Sequence, residues 1–205
     1  MVDHALGGIV RRSFFDREPD VVARDLIGSW VESHTDVGVV RIRLVEVEAY
    51  AGESDPASHA WRGPTPRTQV MYGPPGHSYV YFSYGMHWAL NVVCLGEGTA
   101  AGVLLRAGEV VEGVELARRR RRAGTTDQRL ASGPANLAAA LGLDAAWNGL
   151  DVTSSRSPLL LRSGHLGSDE RVITAPRVGI TRAVDTPWRF LLSGDRHVSS
   201  PRPRS

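Results

Sequence analysis

The stretch Val37-Gly38-Val39-Val40-Arg41-Ile42-Arg43-Leu44-Val45-Glu46-Val47-Glu48-Ala49-Tyr50 constrains the fold more than any other part of the chain. It is rich in β-branched residues and reads as a strand, whose side chains alternate between faces. From Arg41 onward one face carries Arg41, Arg43, Val45, Val47 and Ala49. The other carries Ile42, Leu44, Glu46, Glu48 and Tyr50: two apolar positions, then two carboxylates and a tyrosine. The polar turn His34-Thr35-Asp36 joins this strand to an earlier one, Trp30–Ser33. Beyond it, residues 51–77 are rich in Gly, Pro, Ser and Thr and predict a long irregular connection. Loops of that length in a compact domain usually carry function.

The remaining pattern fills in around this strand. Pro19 suits the first turn of a helix and Gly28 its end, with Val21, Val22, Leu26 and Ile27 as the apolar face. Tyr79–Tyr84, His87–Leu95 and Ala101–Ala107 read as strands, and residues 109–122 as a helix with a basic end. Ser132-Gly133-Pro134 starts a helix that Gly142 ends. Short strands are predicted around Leu159–Leu161, Val172–Ile173, Val178–Ile180 and Arg189–Leu192. Residues 1–12 read as a loose segment, 13–199 as a single domain and 200–205 as a disordered tail. The expected class is α+β, a mainly antiparallel sheet with helices around it.

Several chemistries are excluded early. Cys94 is the only cysteine, so no intramolecular disulfide or cysteine-cluster metal site can form. No apolar run is long enough to span a bilayer, and the N-terminus lacks the basic-then-apolar order of a signal peptide, so a cytoplasmic protein is expected. His59, His77 and His87 lie in different segments without ligand spacing, and no metal is expected. No G-x-S-x-G, G-x-G-x-x-G or Walker motif occurs. The net charge is only +2, yet the chain has no lysine, and five of its arginines stand together at Arg118–Arg122. Guanidinium forks suit phosphate, but such a run also suits a solvated helix end.

Two roles are open to Glu46 and Glu48. A partly buried carboxylate at the end of an apolar strand face can act as a general base. It can equally pair with an arginine to hold the sheet. Their i, i+2 spacing of roughly 7 Å matches paired carboxylates that cleave glycosidic bonds. Tyr50, His59 and Tyr81 would suit the walls of a pocket for a flat, electron-poor ring, or ordinary sheet packing. In YVYFSYGMHWALN, residues 79–91, alternation stops at Tyr84-Gly85, where glycine permits the positive φ of a hairpin turn. Tyr84 either folds back into the core or projects as a wedge of the kind that fills a vacated base stack.

Taken together, Ala23–Gly28, Val45-Glu46-Val47-Glu48-Ala49-Tyr50, His59, Thr65-Pro66-Arg67, Met71–Gly76, the 79–91 hairpin, Val103–Ala107, Ser132-Gly133-Pro134, Pro176–Ile180 and Trp188-Arg189-Phe190 resemble the alkyladenine DNA glycosylase family. The resemblance implies a curved open-barrel sheet, like the C-terminal domain of methionyl-tRNA formyltransferases, with a protruding β-hairpin. It implies a monomeric, monofunctional glycosylase that excises alkylated purines from double-stranded DNA without cofactor, membrane or obligate protein partner. Glu48 would be the general base and Arg106 would help hold the attacking water. Tyr50, His59 and Tyr81 would sandwich the base, and the backbone near Ala57 and His59 would bond its edge. Asn91 would crowd the amino group of normal guanine. Tyr84 would be the wedge, with Met86 beside it, and Thr65, Arg67 and His87 would fall among the DNA contacts. Glu46 would be structural.

Two positions depart from better-known members. Asn136 lies in the segment where they carry lysine, and His87 stands where they often have tyrosine. Other readings of the residues are a non-catalytic nucleic-acid-binding module and a hydrolase of free nucleosides. The first needs no carboxylate at Glu48, and the second needs no wedge at Tyr84.

Overall fold

The computed structural model describes residues 6–83 and 85–201. A short helix α1 (Arg12–Phe15) precedes α2 (Pro19–Leu26), which begins at its proline. Gly28, at φ 85°, turns the chain out of α2, and its N–H meets the Leu44 carbonyl. Pro19, Val22, Ala23 and Leu26 form the buried face of α2; Val21, expected there, is exposed.

Eight strands form one sheet among the described residues: β1 (Trp30–Thr35), β2 (Gly38–Tyr50), β3 (Ser78–Ser83), β4 (His87–Val93), β5 (Gly102–Glu112), β6 (Leu159–Arg162), β7 (Val172–Ala175) and β8 (Arg189–Leu192). The main order is β3-β4-β5-β2-β1-β6, and every pairing is antiparallel. The spine is β2. On one edge β5 follows it from Arg41 to Tyr50; on the other, β1 pairs with Gly38–Arg43 and β8 takes over at Glu46–Glu48. Bulges between Leu44 and Glu46 and between Glu46 and Val47 fall at that exchange. Bulges bend a strand and increase its twist, and here they let the sheet curl into a half-barrel. Both faces of β2 are covered, since Ile42, Leu44, Val45, Val47 and Ala49 are all fully buried. Two helices, α2 and α4 (Pro134–Leu141), close the core over β2, β4 and β5.

Four expectations are corrected. The helix expected over 109–122 is only α3 (Val114–Arg119), because β5 continues to Glu112. Gly113 sits at φ 71° between strand and helix, and a Cβ there would run into the Val39 carbonyl, so glycine is required at the break. Val178–Ile180 is not a strand: the Val178 N–H bonds the Glu48 carboxylate rather than a neighbouring strand. Residues 7–10, expected to be loose, are tied to β6 and its end by Gly7 N–H to the Ser163 carbonyl and Val10 N–H to the Leu161 carbonyl. The tail is anchored as far as Pro201, whose carbonyl accepts from Arg189 Nη1 at 2.8 Å.

Candidate active site

The carboxylate end of β2, the 51–77 loop, β3, β4, β5 and residues 178–182 surround a cavity of about 680 Å³. Asp55 fixes the loop. It is buried and takes both Arg177 nitrogens, Nη1 to Oδ2 at 2.5 Å and Nη2 to Oδ1 at 2.9 Å. It also accepts the N–H groups of Ala51 and Ala57. Arg177 in turn donates to the Ala49 carbonyl at 2.9 Å and lies 4.6 Å over the Tyr50 ring and 5.4 Å over Trp188. One buried ion pair thus holds the loop against the end of β2 and sets the plane of Tyr50.

Glu48 is fully buried at this end. Oε2 accepts the Tyr50 hydroxyl at 2.8 Å and lies 3.2 Å from Arg106 Nη1. Oε1 accepts the Val178 N–H at 2.8 Å. A carboxylate offers about four acceptor positions, so the three contacts made by the described residues leave room for one more. Burial, then the Glu48 charge and hydrogen bond, push the Tyr50 phenol far above its usual range, which keeps it a donor. Burial works against the Arg106 charge, but Glu48 and Glu46 outweigh it and raise its pKa further.

Glu46 is different. Oε1 accepts Arg106 Nε at 2.9 Å, Arg189 Nε at 2.7 Å and Ser199 Oγ at 2.9 Å, and Oε2 accepts the Ser199 N–H at 2.6 Å. Four donors fill it, so it anchors Arg106 from behind and is not the second member of a catalytic pair. Pairing with arginine, the plainer role open to both glutamates, therefore holds for both; only Glu48 keeps spare acceptor capacity.

The opposite wall is aromatic. His59 meets Tyr81 edge-on at 4.6 Å, and Tyr79 lies 5.2 Å from Tyr81. His59 Nδ1 is 3.1 Å from the Tyr79 hydroxyl. Burial, with the nearby Arg67 charge, brings His59 down to about 4, although the residue is exposed at the cavity. Burial, then Tyr79, pushes the Tyr81 phenol up to about 12. Asn91, buried on β4, lines the cavity and donates its amide to the Tyr79 carbonyl at 3.1 Å.

The cavity therefore brings together Tyr50, Ala57, His59, Tyr81, Asn91, Arg106 and Arg67, with Glu48 directly behind Tyr50. The Ala57 N–H already bonds Asp55 Oδ1 at 3.0 Å. Arg67 stands over the Tyr81 ring at 5.0 Å, inside the rim. Thr65 bonds Thr68 through its hydroxyl and its N–H. On the hairpin, Met86 is 67% exposed and His87 is exposed. Gly85 has the expected positive φ, 65°, and Ser83 accepts the Met86 N–H at 3.1 Å. Tyr84 lies outside the described residues. Asn136 donates to the Ser132 carbonyl at 2.6 Å. Sequence reasoning missed Asp55, Ser199 and the roles of Arg177, Arg189 and Val178. Their partners lie more than 120 residues away, and no local pattern announces them. Among the described residues, no three His, Cys, Asp or Glu side chains gather as a metal site.

The chain is similar to known proteins over most of its length. Residues 13–196 match the family model for methylpurine-DNA glycosylase. A Streptomyces avermitilis protein is 49% identical over 193 residues, covering 93% of this chain and 91% of its own. Proteins from Rhodopseudomonas palustris strain HaA2 (48% over 198 residues; 96% and 93%) and Burkholderia lata (43% over 195; 95% and 93%) are also similar. All three bear the name "Putative 3-methyladenine DNA glycosylase". With a match over most of its length and relatives this near, the chain belongs to the methylpurine-DNA glycosylase family.

Proposed function

We propose that this protein is a monofunctional DNA N-glycosylase that flips damaged purines from the duplex and hydrolyses their bond to deoxyribose. The observation that carries this reading is Glu48, buried yet short of one hydrogen bond, beside a cavity walled by aromatic rings. The flipped base stacks among Tyr50, His59 and Tyr81, an arrangement that favours flat rings. A water at the remaining acceptor position of Glu48 attacks C1′. The C1′–O bond forms as the C1′–N bond breaks, the water proton passes to Glu48, and the bonding electron pair leaves with the base. An N3- or N7-alkylated purine is already cationic and leaves neutral; hypoxanthine or ethenoadenine needs a proton as it departs.

Arg106 holds the carboxylate in place and, through Glu46, is itself immobile. The Asn91 side chain limits what fits at the floor. Tyr84 and Met86 at the hairpin tip enter the duplex, while His87 and Arg67 contact the strand. Schiff-base strand cleavage typically uses lysine, which this chain lacks, so the product is an intact abasic site. The protein acts as a monomer on double-stranded DNA.

Base release from a duplex with a single 3-methyladenine tests the reading. Glu48→Gln should lower release by at least about 100-fold while damaged or abasic DNA still binds. Full activity in that variant would rule out Glu48 as the base.

A further inference from the structure

Arg67 is displayed on a built turn. The Thr68 N–H reaches the Thr65 carbonyl at 3.0 Å and the Gln69 N–H reaches it at 2.9 Å. Thr65 and Thr68 also exchange hydroxyl and amide bonds, and Thr68 is buried. The backbone carrying Arg67 is therefore fixed, and its guanidinium lies over the Tyr81 ring at 5.0 Å. Among the described residues, three arginines line the cavity: Arg67, Arg106 and Arg182. Arg106 is matched by Glu46 and Glu48. Among the described residues, neither Arg67 nor Arg182 has a carboxylate partner, so the mouth of the cavity is net positive. The same field helps keep His59 neutral.

A guanidinium and a cationic base both seek the face of Tyr81. Within about 5 Å they also repel, and repulsion of that kind is weakened but not abolished near solvent. We propose that Arg67 is a charge filter that lowers acceptance of cationic N-alkylpurines relative to neutral damaged purines. This rests on the glycosylase reading and adds to it a rule of selection: the aromatic walls admit flat rings, and Arg67 sorts them by charge.

The test is single-turnover base release from duplexes with one 7-methylguanine (cationic) or one ethenoadenine (neutral), for wild type, Arg67→Met and Arg67→Lys. Arg67→Met should raise the cationic-to-neutral rate ratio by roughly tenfold, and Arg67→Lys should return it towards wild type. In wild type the ratio should rise with salt, which screens exposed charge. An unchanged ratio in Arg67→Met overturns the filter, including the case where both rates fall by one common factor, as for a simple phosphate contact. The binding ratio for the same duplexes, measured in a Glu48→Gln background, gives the same decision without cleavage. Wild type that releases no base from either duplex would therefore sink the glycosylase reading alone.

Discussion

Two arginine populations sit at opposite ends of the central strands. At the cavity end, Arg106, Arg177 and Arg189 are scattered in sequence and buried, and each is matched to a carboxylate. At the far end, where β5 leads into α3, Arg118–Arg122 are contiguous and largely solvated. There Arg118 pairs with Asp127 and Glu115, and Arg120 bonds the Ala140 carbonyl and the Thr35 hydroxyl. The run that draws the eye in sequence thus serves α3 and its neighbours. The isolated arginines build the site. Burial and partners, not local density, decide what a guanidinium does.

Four measurements would break or sharpen this contrast. The largest effect is expected for Arg177→Ala, which leaves Asp55 buried without its cation. Breaking a buried pair costs about 3–5 kcal/mol, read as a fall in the urea unfolding midpoint, and the 51–77 loop should gain proteolytic sensitivity. Arg106→Met should reduce base release by about 100-fold, because a fixed positive group beside the base is lost. If activity survived, the buried group would be scaffolding only.

A smaller effect concerns pH. His59 titrates near 6.5 when unfolded and at about 4 when folded, so falling pH protonates the unfolded chain first. Its contribution is intact above pH 6.5 and is lost as pH falls towards 4. His59→Phe should flatten that part of the stability profile, and Arg67→Met should move the imidazole titration upward by NMR. The smallest effect is expected for Arg119→Ser with Arg122→Ser. The unfolding midpoint and base release should both stay at wild-type values, as for most exposed sites. A clear loss of base release would place the run on the DNA-binding surface and erase the contrast.

Local pattern made much of the fold legible. Alternation marked β2 and the β3–β4 hairpin, and Pro19, Gly28, Pro134 and Gly142 marked both ends of two helices, since each signal lies within a few residues of its effect. The errors fall where a distant atom overrides local preference. The Glu48 carboxylate takes the Val178 N–H that a strand would use, and the Val39 carbonyl leaves room only for glycine where the strand gives way to the helix. The base candidate, the aromatic wall and Arg106 were legible because they stand in short contiguous blocks that resemble a known family.

The sequence by itself therefore determined the strand that carries two carboxylates, the turn-forming hairpin and the set of residues available for chemistry. Tertiary structure decided which carboxylate keeps an acceptor position unfilled by the described residues. Glu46 and Glu48 are alike in sequence, each an apolar-flanked glutamate on the same strand. Ser199 and Arg189 arrive from the C-terminal end of the chain and fill Glu46, while Tyr50, Arg106 and Val178 leave Glu48 one acceptor position short. Hydrogen-bond saturation is a property of what the fold brings within 3 Å, and residues 143 and 153 positions away along the chain give no local sign of it.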